Sequence, residues 1–224
     1  MNYKTCASIA EKTPNNLTKQ IKKGLKKSDY IEVRFDFLKP EKIPEVLEKI
    51  KKDLNRIVCT LRPKSEGGVF SGTEIERISI LKLIAEYNPF LLDIEYNTLK
   101  KNNRLVKYLK GTKTNLLVSW HDFKKTPTFS KIKNQLSQMS KFSNNIKIVT
   151  TANSTNDSTT ILQLYSKKGK TNLIAFAMGE VGQISRILCL HLGSPYTYVS
   201  LGKAVAPGQF SVDEVKKISK LKRS

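Results

Sequence analysis

Cysteine, histidine and acidic side chains are all scarce in this sequence, and each scarcity removes a class of function. Cys6, Cys59 and Cys189 are odd in number, far apart and set in apolar surroundings. They read as reduced core thiols, not as a disulfide or zinc framework. With His121 and His191 the only histidines, no metal-ligand spacing is present. No stretch approaches the roughly 20 apolar residues of a membrane span, and the opening MNYKTCASIAEKTPNN lacks the apolar run of a signal peptide. A cytoplasmic location, with neither metal nor membrane involved, is therefore expected. Linkers, composition breaks and low-complexity tracts are also missing, so residues 1–224 are expected to form a single domain.

Acidic residues number 19 against 40 lysines and arginines, a net charge of +21. Such an excess raises the possibility of a nucleic-acid partner. The lysines, however, are spread over helical segments along the whole chain, for example Lys22, Lys23, Lys26 and Lys27, then Lys49, Lys51 and Lys52, then Lys216, Lys217 and Lys220. That distribution describes a solvated surface that attracts small anions, and no nucleic-acid partner is expected.

What the sequence does contain is an alternation. Short apolar runs at Tyr3–Ile9, Tyr30–Asp36, Arg56–Leu61, Pro89–Glu95, Asn115–Ser119, Asn145–Thr150, Asn172–Ala177 and Tyr196–Leu201 read as eight strands. Amphipathic segments separate and follow them: Leu17–Lys27, a segment from Pro40 to about Asp53, Glu74–Glu86, Asn97–Leu109, Thr128–Phe142, Thr155–Lys167, Gly182–Leu192 and Val212–Lys222. Thr13-Pro14, Lys39-Pro40 and Ser71-Gly72-Thr73 supply helix starts. Eight strand–helix units of roughly 25 to 30 residues predict a closed parallel (β/α)8 TIM barrel, with any site at the C-terminal strand ends.

Unusual residues gather at those ends. Lys147 lies among Ile146, Ile148 and Val149, on a strand apolar on both faces as a doubly covered sheet requires. Burial there lowers a lysine below its free pKa of roughly 10.4 and makes it a nucleophile for ketones. The plainer alternative is a solvated lysine at a strand end. His121 closes the fifth strand and suits a general acid or base. On the second strand the two-residue period sets Glu32, Arg34 and Asp36 on one face, pointing into the barrel mouth. For Asp36, Asp93 and Glu95 an internal ion-pair layer is an equal alternative. Leu61–Gly68 is a polar glycine-bearing loop, Met178–Arg186 a glycine-rich turn whose amides and Arg186 suit an anion, and Gly202–Gln209 a loop able to fold over a ligand.

These motifs, EVRFD, LRPKSEGG, LLDIEY, SWHDF, IKIV, MGEVGQISR and APGQ, occur in an order that resembles the type I 3-dehydroquinate dehydratases, nearly end to end. The resemblance implies a hydro-lyase of the shikimate pathway that turns 3-dehydroquinate into 3-dehydroshikimate through a lysine Schiff base, with no cofactor and no metal. It assigns the imine to Lys147, acid/base work to His121, and orientation of that histidine to Glu66. Substrate contacts fall to Ser8, Glu32, Arg34, Arg62, Arg186 and Gln209, with Arg186 gripping the carboxylate. Cationic neighbours are expected to keep Lys147 unprotonated by repulsion. Many relatives carry serine where this chain has Val205. The resemblance also implies a homodimer. The competing readings are another Schiff-base barrel enzyme, such as a class I aldolase acting on sugar phosphates, and a basic nucleic-acid-binding protein.

Overall fold

In the computed structural model, residues 3–202 and 204–220 are described. The strands are β1 Thr5–Ile9, β2 Tyr30–Arg34, β3 Ile57–Thr60, β4 Leu91–Glu95, β5 Leu116–His121, β6 Asn145–Thr151, β7 Asn172–Met178 and β8 Thr197–Val199. Each expected strand is present, most of them trimmed by a residue or more at the ends. All recorded pairings are parallel, in the order β7-β6-β5-β4-β3-β2-β1-β8. The result is a nearly closed TIM barrel in which β7 and β8 flank the one seam without a recorded ladder among the described residues.

The helices are α1 Pro14–Leu25, α2 Ile43–Ile50, α3 Glu74–Glu86, α4 Tyr96–Lys101, α5 Asn103–Lys110, α6 Phe129–Met139, α7 Thr155–Leu162, α8 Ser185–His191 and α9 Val212–Lys220. Local signals explain their ends. Thr13 accepts from the Asn16 amide with Pro14 in the first turn, and Thr73 with Glu76 forms a reciprocal capping box. One expected helix is divided: Asn102 leaves helical geometry and its side chain accepts from the Leu105 amide, ending α4 and starting α5. Leu221 and Lys222 of the expected last helix, and Lys203 of the expected closing loop, lie outside the described residues.

Two apolar layers follow from the two-residue strand period. Outward residues such as Ile31, Val33, Cys59, Ile94, Val118, Ile146, Ile148, Ala175 and Val199 pack against the helices. Inward residues, among them Cys6, Val58, Leu91, Leu117, Ile174 and Tyr196, fill the lower barrel. Burial of both faces is why the strands read as nearly continuous apolar runs. Above that plug the inward positions turn polar: Ser8, Glu32, Thr60, Asp93, Glu95, Ser119 and Lys147 are all buried. The three cysteines are free and buried, as expected. No described helix is long and apolar enough to cross a membrane.

Candidate active site

A cavity of about 310 Å³ opens at the C-terminal ends of the strands. Its lining includes the nine residues to which the resemblance gave a role: Ser8, Glu32, Arg34, Arg62, Glu66, His121, Lys147, Arg186 and Gln209. Lys147 points inward from the middle of β6 and is 6% exposed, which rules out the solvated-lysine alternative. Its Nζ lies 3.4 Å from Glu32 Oε1 and 3.4 Å from Asp93 Oδ2. The charged groups nearest the amine are thus carboxylates and not the cationic neighbours expected. Burial pushes both acids upward, but Lys147 and Arg34 at Glu32, and Arg62 and Lys147 at Asp93, outweigh it, and each stays below its ordinary range.

His121 stands one inward step above Lys147, because Ser119 is the residue paired with Lys147 in the β5–β6 ladder. Two residues correspond to about 7 Å along the strand. The ring Nδ1 is 3.2 Å from Glu66 Oε2, while Asn97 donates to Glu66 Oε1 at 3.2 Å. Burial, followed by the positive charges of Arg62, Lys147 and Arg34, holds His121 well below its usual range, so the ring is neutral. Burial and the nearby Glu95 raise Glu66 to about 7. With Glu66 ionised, Nδ1 carries the proton it donates to the carboxylate, and Nε2 is left as a base.

The arginines differ sharply in their partners. Arg62 donates to Glu95, Ser119 and Asp93 at 2.6–2.7 Å, and Ser119 donates in turn to Asp93. Glu95 also accepts from the buried Arg77 of α3. Asp93 and Glu95 therefore form the internal ion-pair layer, with Asp93 also touching Lys147. Arg34 is engaged by Asp36 through two hydrogen bonds. Here the strand period fails: β2 ends at Arg34, and Asp36 sits in a short 3-10 turn where it braces Arg34 and accepts from the Val69 amide. Asp36 does not line the cavity.

Arg186 is the exception. It is 2% exposed, no described carboxylate lies within ion-pair distance, and its Nε has no hydrogen-bond partner. Among the described residues the guanidinium makes one hydrogen bond, from Nη2 to the Pro207 carbonyl at 3.0 Å. Burial pushes its pKa down to about 10. A buried guanidinium facing a cavity without a counter-charge among the described residues is suited to an anion. The loop above it closes on itself: the Val205 amide donates to Gln209 Oε1 and the Gln209 amide to the Ala206 carbonyl. Those amides are unavailable for a phosphate, which counts against the sugar-phosphate aldolase reading. Gln209 Nε2 reaches Ser8 Oγ at 3.4 Å, and Ser8 donates to Glu32.

A family model for type I 3-dehydroquinase matches residues 5–223. The chain belongs to the type I 3-dehydroquinase family. It is 36% identical over 220 residues to the 3-dehydroquinate dehydratase of Methanocaldococcus jannaschii, covering 96% of this chain and 97% of that protein. It is 38% identical over 198 residues to the 3-dehydroquinate dehydratase of Dehalococcoides mccartyi, covering 86% of each. Among solved structures, that of the Aquifex aeolicus 3-dehydroquinate dehydratase superposes with a TM-score of 0.81 at 27% identity, covering 99% of this chain and all of that one.

Several lining residues of this family member were not legible as site residues. Phe123 stacks on His121 with centroids 5.7 Å apart. Phe176 and Tyr198, on β7 and β8, lie beneath Arg186 and Lys147. Apolar strand residues carry no signal that separates a cavity wall from a core position. Val205 also lines the cavity, so its contribution there is apolar.

Proposed function

We propose that the protein dehydrates 3-dehydroquinate to 3-dehydroshikimate through an imine on Lys147, within the shikimate pathway. The observation that carries this reading is a buried lysine sharing one small chamber with a neutral, carboxylate-held histidine and an arginine that lacks a counter-charge. About 310 Å³ is at the small end of ligand pockets, which run from about 300 to 1,000 Å³, and suits a single-ring acid.

Arg186 binds the carboxylate and orients the ring, exchanging an unsatisfied buried charge for an ion pair. Glu32, Arg34, Arg62, Ser8 and Gln209 position the hydroxyls and the amine. Lys147 Nζ, once its ammonium proton has passed to His121, attacks the C3 ketone, and that proton returns to the carbinolamine hydroxyl, which leaves as water and gives the protonated imine. That cation draws electrons from C2, so the neutral His121 Nε2 can remove the C2 proton and leave an enamine. Glu66 stabilises the imidazolium through Nδ1. The same proton then goes to the C1 hydroxyl, which departs as water while the enamine electrons restore the iminium. Hydrolysis frees 3-dehydroshikimate and Lys147. In this reading no cofactor takes part and residues 1–224 act as one cytoplasmic catalytic domain.

The homodimer belongs to the same proposal. Its support is a stripe of exposed apolar residues along α8, with Ile184 just before the helix, Leu188 within it and Leu192 just after it, about one helical turn apart; light scattering reads it directly. The function is tested by following formation of the conjugated enone product by absorbance. The wild type is expected to turn over and Lys147→Ala to lose all measurable turnover with an unchanged circular dichroism spectrum. A folded Lys147→Ala variant that still dehydrates the substrate would overturn the proposal.

A further inference from the structure

The two cations given to the substrate each rest on an aromatic face. Lys147 Nζ lies 4.1 Å from the centroid of the Tyr198 ring. Arg186 Cζ lies 4.2 Å from the centroid of Phe176. The two rings meet across the β7–β8 seam, with centroids 6.5 Å apart and planes tilted by 58°. Tyr196 backs Tyr198 edge-on at 5.6 Å and 74°. Both Tyr198 and Phe176 are buried and both line the substrate chamber.

Tyr198 offers its face and not its polar tip. Its buried hydroxyl has no hydrogen-bond partner among the described residues, and Phe176 has no hydroxyl at all. A ring face attracts a desolvated cation without needing a hydrogen on it. That distinction matters for the reaction, in which an ammonium and a ketone become an iminium and one water. The ammonium has three N–H donors, and Glu32 and Asp93 stand ready for two of them. The iminium nitrogen keeps its positive charge but retains one N–H, because the other positions now hold the lysine chain and the substrate carbon. Its hydrogen bonds to the two carboxylates therefore diminish as the imine forms, while the attraction to the Tyr198 face persists.

Resting on the imine reading above, we propose that Phe176 and Tyr198 form a joined aromatic platform. Tyr198 stabilises the cationic imine on Lys147, and Phe176 seats the Arg186 guanidinium that receives the substrate carboxylate. Closure of the barrel at the seam and placement of both substrate-facing cations are then one structural device.

The experiment compares Tyr198→Phe, Tyr198→Met, Tyr198→Leu and Phe176→Leu for kcat, KM and the fraction of Lys147 trapped by borohydride with 3-dehydroquinate. Tyr198→Phe keeps the face and is expected to stay within about twofold of wild type in all three. Tyr198→Met and Tyr198→Leu are expected to lower kcat and the trapped fraction by about tenfold or more, in keeping with a desolvated cation–π contact. Phe176→Leu is expected to raise KM by about tenfold and to change kcat less. Should Tyr198→Leu fail to fold, Tyr198→Met, which retains much of the volume without a π face, carries the comparison. A Tyr198→Phe enzyme as impaired as the Met variant, or a Met variant within twofold of wild type, overturns the platform. A wild type that turns over without ever being trapped at Lys147 instead overturns the imine reading beneath it.

Discussion

Replacing Arg186 by methionine should make the free protein more stable and its substrate binding far weaker. The guanidinium is charged in the unfolded chain and, below pH of about 10, in the folded chain too. Its lowered pKa means that folding removes a charged group from water without a compensating carboxylate. At 1.36 kcal/mol per tenfold change in proton affinity, this opposes folding by about 3 kcal/mol at neutral pH. The penalty is present across the whole neutral range and is relieved only as pH rises through about 10, where the folded form sheds the proton. Methionine removes that penalty but also removes the hydrogen bond to Pro207 and the contact with Phe176. Together those contribute about 2 kcal/mol. A net gain of about 1 kcal/mol remains, or about 2–4 °C in Tm for a chain of this size. Loss of the charged partner for the carboxylate should raise KM by about 100-fold, corresponding to about 3 kcal/mol. Thermal melts with and without product, alongside steady-state kinetics, read both effects. The wild type should be stabilised by product and Arg186→Met should not. A variant that melts below the wild type, or one that keeps KM within threefold, would refute this account of the unpaired arginine.

Two further outcomes follow from the same geometry. Glu66, raised to about 7 by burial and by Glu95, must be ionised to accept from His121, so kcat/KM should fall as pH drops through about 7; Glu66→Gln should lower the plateau by about 10- to 100-fold and flatten that limb. Gly208→Ala should raise KM without abolishing turnover, because Gly208 has φ +69° and an added Cβ would lie 2.6 Å from the Gly179 carbonyl, prising the closing loop off the β7–α8 turn; kinetics indistinguishable from wild type would contradict that packing.

The barrel was legible because a sheet buried on both faces writes itself as apolar runs, and because Pro14, Thr73 and their neighbours mark helix starts by local chemistry. Asp36 was misplaced on a strand because alternation of charge continues past Arg34 while the backbone turns to accommodate the Arg34–Asp36 pair. Asn102 divides a helix through a side-chain hydrogen bond that periodicity does not register. For the site, Lys147 and His121 stood out as charged or polar residues on apolar strands and Arg186 by its place after a glycine-rich turn, whereas Glu66 was named only through the family resemblance; all four line the one cavity. Which charges neutralise which was not legible. The pairings of Arg62 with Asp93 and Glu95, and of Lys147 with Glu32, join residues 31 to 115 positions apart, and only the closed barrel brings them together. The aromatic floor was hidden for the opposite reason, since Phe176 and Tyr198 look like any other inward strand residue.

If Lys147 bonds covalently to the substrate, peptide mass spectrometry after borohydride reduction reads that bond directly. Reduction in the presence of 3-dehydroquinate should add a single ligand-derived mass to the peptide that contains Lys147, and His121→Ala should still carry the adduct while failing to turn it over. Recovery of that peptide unmodified from protein inactivated by the treatment, or the added mass on a different lysine, would contradict the account.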